Sequence, residues 1–303
     1  MDYTDEEFYM LALSLMDEFT AYQKVKMLEE KGSAEAVFLD LGKTELYTHH
    51  RRQQIQNVIK NADMECELMA KNNIHAIFAK NIEFPFRLRN CPDYPLVLFH
   101  KGKLDANRRY ALSIVGSRKA DKRGERRVCE MLDYLTPYKD NMVIVAGVAS
   151  GIDAMVLNHA QSLGFYTICV IPHGFGHRYD CNVEKRINSA SCVVSENRFH
   201  FGYGDRIYEQ RNRIIVGLSD AVVVAQAKDG NGAGLYVGKA LDYNRDSFAF
   251  VYPNENSQNE KCNLFVADDQ AIGLNSAEDF FEKMIWPYLF IIRNSYFIII
   301  EVY

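Results

Sequence analysis

A chain of 303 residues that is 48% hydrophobic and 25% charged is long enough to bury a substantial core, which excludes the disordered and low-complexity classes. The formal net charge of −5 excludes a uniformly basic nucleic-acid-binding protein, yet Lys101 to Arg127 holds ten Lys or Arg against three Asp or Glu. The seven scattered cysteines show no C-x-x-C spacing, so we expect neither a zinc site nor a redox pair, and we expect a cytoplasmic protein.

The first 72 residues predict a small helical domain, because apolar side chains recur there at three- and four-residue steps. Arg51–Lys71 predicts one long amphipathic helix. Prolines then punctuate a connecting stretch between two short predicted strands, Ile74–Ile77 and Val97–Phe99.

From Tyr110 the sequence alternates apolar strands with helical segments, which predicts a parallel sheet with right-handed crossovers. The predicted strands are Ala111–Val115, Met142–Ala146, Tyr166–Ile171, Cys192–Val194, Ala221–Ala225 and Ser247–Val251. The predicted helices are Glu125–Leu135, Asp153–Leu163, Asn182–Asn188, Gln210–Leu218, Leu235–Tyr243 and Ser276–Met284. The fold class is therefore α/β: a Rossmann-like, mostly parallel sheet over residues 73–284 with helices on both faces.

Residues 285–303 form an apolar tail. Arg293 and Asn294 interrupt it, so we expect two strands that turn there and no membrane span. The tail would cover a sheet edge or form a subunit contact, and the sequence leaves both open.

The loop after the first strand of the alternating region predicts a phosphate site. Glycine lets the backbone approach a ligand, and serine, arginine and the N–H groups of a helix start favour an anion. The candidate phosphate-binding residues of this loop are Gly116, Ser117, Arg118, Lys119, Lys122 and Arg123. The alternative is a plain turn beside a solvated basic helix face. G-x-G-x-x-G is absent, so we expect no dinucleotide, and we expect no other cofactor.

Four later loops reach the same edge of the predicted sheet, because the carboxyl ends of parallel strands lie together. Their candidate phosphate-binding residues are Gly147, Gly151, Gly174, Arg178, Arg211, Asn212, Arg213, Lys228, Asn231 and Gly232. Phe175 and Tyr179 are candidates for stacking on bases, and a packing role for their rings is equally open. The third of the five loops also carries two histidines, but no third metal ligand is evident, and we expect no metal.

In their order, these loops resemble the DNA-processing protein A (DprA/Smf) family. The resemblance rests on these stretches: Val115–Arg118 with Gly124, Gly147–Asp153, Thr167–Val170 with Gly174 and Tyr179, Ser195-Glu196, Arg211–Ser219 and Lys228–Gly232. It implies single-stranded DNA binding, phosphate contacts by Arg118 and Lys228, a homodimer, and loading of the RecA recombinase in natural transformation. It also implies a protein that is not an enzyme.

The chain is similar to a divergent member of that family without the C-terminal winged helix. Val156 and Leu157 stand where the family often has Ala-His, and Ser150 replaces a basic residue. Asn231 replaces a serine, and Val237 a threonine.

Two other interpretations stay open. A nucleotide-binding sensor or nucleoside-monophosphate-processing protein could use the same fold, although no glutamate follows the glycine-rich loop before Asp242. A purely structural or partner-binding protein is the third.

Overall fold

The computed structural model describes residues 3–42, 49–202, 206–227, 232–253 and 260–284. Its centre is one sheet with the order β1-β2-β6-β5-β4-β3-β7-β8-β9. Only β1 with β2 and β2 with β6 pair antiparallel among these described strands, so the predicted mostly parallel sheet is confirmed. The strands are β1 His75–Phe78, β2 Val97–Gly102, β3 Tyr110–Gly116, β4 Met142–Ala146, β5 Tyr166–Val170, β6 Cys192–Ser195, β7 Ala221–Gln226, β8 Asp246–Phe250 and β9 Ile272–Leu274.

Helices precede the sheet and connect its strands, with a 3-10 turn at Thr136–Asn141. They are α1 Asp5–Ser14, α2 Ala21–Lys31, α3 Ala34–Leu41, α4 His49–Asn72, α5 Phe86–Arg89, α6 Lys122–Leu135, α7 Ile152–Ser162, α8 Cys181–Ser189, α9 Ile207–Gly217, α10 Ala233–Asp242, α11 Glu260–Ala267 and α12 Glu278–Lys283. No helix in these described ranges is long and apolar enough to cross a membrane.

Helices α1, α2 and α3 begin where the sequence supplies capping residues, Thr4, Thr20 and Ser33. Thr4 and Thr20 each form a capping box, in which the threonine and a Glu or Gln three residues later satisfy each other's backbone N–H. Helix α1 packs on α3, on α4 and on β2, and α4 packs on β1. The helical segment therefore covers the antiparallel edge of the sheet, while its boundary as a separate domain at residue 72 stays a prediction.

The order in which strands join the sheet reverses between the parallel neighbours β3 and β7. From β3 the strands run outward through β4 and β5 to β6, and β7 then returns to the other side of β3. Right-handed crossovers place α6 and α7 on one face and α9 and α10 on the other, and the members of each pair pack together. In open α/β sheets such a switch point leaves a crevice at the carboxyl ends of the strands, where ligands bind.

The periodicity of the sequence does not predict the shortest helices and strands. Helix α5 is a single turn after Pro85, and β9 has three residues, so neither is long enough to show a repeat. Helix α11 was also not predicted. Helix α6 begins at Lys122, before the predicted Glu125, because Asp121 accepts hydrogen bonds from the backbone N–H groups of its first turn. The predicted strands in residues 285–303 lie outside the described residues.

A buried ion pair fastens the opposite end of the central strands. Arg87 Nε donates to Asp220 Oδ1 across 2.6 Å, and both side chains are 1% exposed. The guanidinium also donates to the carbonyls of Ala106 and Arg109, and Asp220 Oδ2 accepts the N–H of Ala111. One pair thus joins α5, the start of β3 and the turn before β7.

Asp220→Ala should lower the free energy of unfolding by about 3–5 kcal/mol, because it leaves the Arg87 guanidinium buried without its counter-charge. Urea denaturation would measure the loss as a lower midpoint at constant slope. The matched control is Asp242→Ala, which removes the exposed partner of Lys239 and should cost less than about 1 kcal/mol. Equal losses in the two variants would contradict a fastening role for the buried pair.

Candidate nucleic-acid interface

The first predicted loop lies in the crevice at the switch point. Gly116 pairs with Gln226 at the end of β7, where the register of the two strands shifts. The backbone N–H of Ser117 donates to the Gln226 carbonyl across 2.8 Å, and Gln226 Oε1 accepts the N–H of Asp121 across 3.0 Å. Gln226 therefore anchors the loop at both ends. Sequence reasoning missed this residue, although a polar side chain ending an apolar strand was a signal.

The second loop lies directly against the first. Gly151 has a φ of +74°, and a Cβ there would lie 2.2 Å from the Ser117 carbonyl oxygen, so a larger residue would separate the loops. The Ile152 N–H donates to that same carbonyl across 3.1 Å, and Ser150 Oγ donates to the Arg118 carbonyl across 3.2 Å. Ser150, at a position where the resemblance expects a cation, thus supports the backbone of the first loop.

Exposed cations project from this edge. Arg118, Lys119, Lys122 and Arg178 are exposed, and within the described ranges no carboxylate lies within ion-pair distance of them. Arg123 instead pairs with Asp121 across 2.9 Å. Although burial opposes it, hydrogen bonding from Arg123 and Gln226 lowers the pKa of Asp121 to about 2, so this cap of α6 stays charged. The cations left without a carboxylate are available to an anion.

Aromatic rings stand beside Arg118. Its guanidinium lies 4.7 Å from the ring centroid of Tyr208, which is 37% exposed. The His173 ring meets Tyr208 edge-on at 6.0 Å and stacks on His177 at 3.7 Å. Tyr179 and His173 Nδ1 share a hydrogen bond of 2.9 Å. No sequence pattern indicated Tyr208, because only the fold brings α9 next to the first loop.

In the stack of two imidazoles, the His173 ring is neutral at physiological pH. Burial and the neighbouring His177 lower the pKa of His173 to about 4. A neutral His173 avoids charge repulsion within the stack, so the two rings can form a flat surface. Within the described residues no group of three or more His, Cys, Asp or Glu could hold a metal ion.

The two arginines predicted as phosphate contacts in the fourth loop need correction, because the structure buries them. Arg211 is 3% exposed, and its Nη1 lies 3.6 Å from Asp153 Oδ2. Arg213 is 8% exposed, pairs with Glu196, and donates to the Asp93 carbonyl across 2.5 Å. Both guanidinium groups are held by carboxylates in the interior, so we assign them structural roles.

The Arg211–Asp153 pair explains why residue 147 is a glycine. A Cβ on Gly147 would lie 1.5 Å from Arg211 Nη1 and 2.3 Å from Asp153 Oδ2. Burial raises the pKa of Asp153, and the Arg211 charge opposes that rise. Gly147 and Asn212, which is 6% exposed, thus belong to the support beneath the surface.

Backbone hydrogen bonds to residues 199–201 hold the third loop in place. Gly174 is buried and donates its N–H to the Phe201 carbonyl, and Gly176 donates to the Phe199 carbonyl, each across 2.8 Å. The Phe199 N–H in turn donates to Glu65 on α4 across 2.6 Å. The N-terminal helices therefore hold the backbone that carries His173, His177 and Tyr179.

The remaining candidates are only partly placed by the structure. Phe175 is half-buried and packs on the core, and Tyr179 belongs to the aromatic cluster. Gly232 is exposed at the start of α10. Lys228 and Asn231 lie outside the described residues, and their DNA contacts stay predictions.

The family model for DNA recombination-mediator protein A matches residues 75–285. The DNA processing protein DprA of Streptococcus pneumoniae is 34% identical over 173 residues, covering 55% of this chain and 59% of that protein. DprA of Bacillus subtilis is 32% identical over 192 residues, covering 59% and 61%. The chain thus matches about three fifths of the length of these relatives.

Solved structures share the fold. The X-ray structure of DprA from Streptococcus pneumoniae aligns with a TM-score of 0.72 and 25% identity, over 94% of this chain and 99% of that one. DNA processing protein A from Helicobacter pylori, whose structure concerns its single-stranded DNA binding mode, aligns with a TM-score of 0.60. That alignment covers 69% of this chain and 94% of the other, at 22% identity.

Gly147→Ala should lower the free energy of unfolding by about 1–3 kcal/mol, because the added methyl group displaces the buried Arg211 guanidinium. The matched control is Gly238→Ala in α10, where no atom lies within 4 Å of the new Cβ. That change should stabilise the helix by about 0.5–1 kcal/mol. Thermal unfolding of both variants would measure the difference, and stabilisation by Gly147→Ala would contradict the close packing of Gly147 on the ion pair.

Proposed function

This chain belongs to the DNA recombination-mediator protein A family, and we propose that it binds single-stranded DNA along the carboxyl edge of its sheet. The supporting observation is the pairing of Arg118 with Tyr208, an exposed cation 4.7 Å from an exposed ring. Phosphates need cations and unpaired bases need flat rings, and both are adjacent here. The family assignment supports the same ligand, as does the single-stranded DNA binding mode of the Helicobacter pylori protein.

The proposed phosphate contacts are the exposed residues of the first and third loops. Arg118 and Lys119 lie in the loop before α6, Lys122 begins that helix, and Arg178 is exposed on the third loop. Backbone N–H groups at the switch point would add donors without charge. Lys228 and Asn231 complete the proposed set by family resemblance.

We propose that the edge binds DNA without changing it covalently. Among the described residues of this edge, Asp153 is buried and paired with Arg211, and Asp121 caps α6 and pairs with Arg123. Both carboxylates are therefore poorly placed to attack a nucleotide or accept its proton. By family resemblance, we also propose a homodimer that protects incoming single strands and helps load RecA in transformation. All seven cysteines are free, which supports a reducing cytoplasmic environment.

Replacing Arg118 and Lys119 by alanine should weaken binding to oligothymidylate and make it less dependent on salt. Each lost phosphate contact removes about 0.7 from the slope of log K against log salt, so the double variant should lose about 1.4. Fluorescence anisotropy at several salt concentrations would measure both quantities.

The matched control replaces two exposed lysines of α4, Lys60 and Lys71, which lie on the helical segment. It removes the same charge and should leave the slope unchanged. An equal effect in both double variants would refute a local binding edge. Calorimetry with mononucleotides tests the nucleotide-sensor alternative, which predicts saturable mononucleotide binding without binding of oligothymidylate.

Tyr208→Ala should cost about 1–3 kcal/mol of oligonucleotide binding free energy without changing the salt slope, because a stacked ring contributes no charge. Tyr208→Phe should retain most of the affinity. Tyr22→Ala, which removes another exposed tyrosine from α2, is the control and should bind like the unaltered protein. Wild-type affinity of Tyr208→Ala would refute the stacking contact.

A further inference from the structure

Two histidines face each other at the antiparallel edge of the sheet. His75 on β1 is the register partner of His100 on β2. Residues directly opposite on antiparallel strands project from the same face, with Cβ atoms about 5 Å apart. The two imidazole centroids lie 5.5 Å apart, with 29° between the ring planes.

The tautomer of His100 follows from its hydrogen bond. His100 Nδ1 lies 3.0 Å from the carbonyl oxygen of Gly102. A carbonyl only accepts, so Nδ1 carries the hydrogen and Nε2 keeps a free lone pair. Metal-binding histidines are commonly oriented in this way, by donating the other ring N–H to a backbone carbonyl.

The surroundings leave room for an ion. Both histidines line an open recess of about 440 Å³, which Glu83 and Lys103 also line. His75 is exposed, so an ion in solvent can reach its ring. Among the described residues no group of three or more His, Cys, Asp or Glu could hold a metal ion. Water would therefore complete the coordination of an ion held by the two imidazoles.

We propose that His75 and His100 form a two-imidazole binding site for a divalent transition-metal cation of the Zn²⁺ type. A Zn–N distance of about 2.0–2.1 Å places each ring centroid roughly 3 Å from the ion. Tetrahedral ligation then separates the two centroids by about 5 Å, close to the observed 5.5 Å. Imidazole nitrogen favours Zn²⁺, Ni²⁺ and Cu²⁺ over the oxygen-seeking Mg²⁺.

The bound ion would clamp β1 to β2. β1 is an edge strand, paired only with β2 in the described sheet, and α4 packs on it. Because the ion binds only when the two strands are in register, its binding stabilises the folded edge. This site lies on other strands than the proposed DNA-binding edge, so either proposal can fail alone.

Calorimetric titration of the full chain with ZnCl₂, with its cysteines kept reduced, tests the site. We expect a saturable binding step that weakens at least about tenfold in His75→Ala and also in His100→Ala. The thermal midpoint should rise with Zn²⁺ in the unaltered protein and in neither variant. MgCl₂ should give no such step.

The matched control is His159→Ala, which removes a half-buried histidine on α7 that contacts Asp133. It should bind Zn²⁺ like the unaltered protein. Zinc binding of undiminished affinity in both His75→Ala and His100→Ala, or no binding by the unaltered chain, would overturn the proposal. Because His75 is exposed at the sheet edge, its loss leaves the core intact and the comparison stays interpretable.

Discussion

The buried Arg211–Asp153 pair is the constraint on which the candidate interface depends. Asp153 stands in the first turn of α7, and Arg211 in the middle of α9, so the pair joins helices that approach the sheet edge from its two faces. Only a glycine fits over the pair at position 147. With both helices fixed, Gly151 meets the first loop, and Tyr208 meets Arg118. Loss of either charge would leave the other buried without its counter-charge.

The sheet, the order of the loops and their common edge could be predicted from the sequence, because apolar strand runs and glycine-rich turns are local signals. The sequence could not predict which arginines are buried. Arg118 and Arg211 are both arginines in segments that the sequence assigns to the carboxyl edge, and only the packed fold puts a carboxylate beside one of them. Tyr208 was missed for the same reason, since its neighbours come from the first and third loops.

The N-terminal helices contribute to the interface without lying at the carboxyl edge. Glu65 holds the Phe199 N–H, and the backbone from Phe199 to Phe201 holds Gly174 and Gly176. Asp17 also pairs with Arg198 across 2.9 Å on the same segment. Movement of the helical segment would therefore reach the imidazole stack through two or three hydrogen bonds, which links a sequence region of no evident chemistry to the proposed ligand.

An acidic chain can bind a polyanion only if its cations act locally. At physiological ionic strength a charge is screened over about 8 Å. For a polyanion at the carboxyl edge, the net charge of −5 therefore matters less than the nearby charges of Arg118 and Lys119. Among the described residues, two carboxylates beside this loop are already engaged, Asp121 with Arg123 and Asp153 with Arg211. Because their own arginines neutralise those two carboxylates, the exposed cations Arg118, Lys119 and Lys122 can make this edge basic on an acidic body.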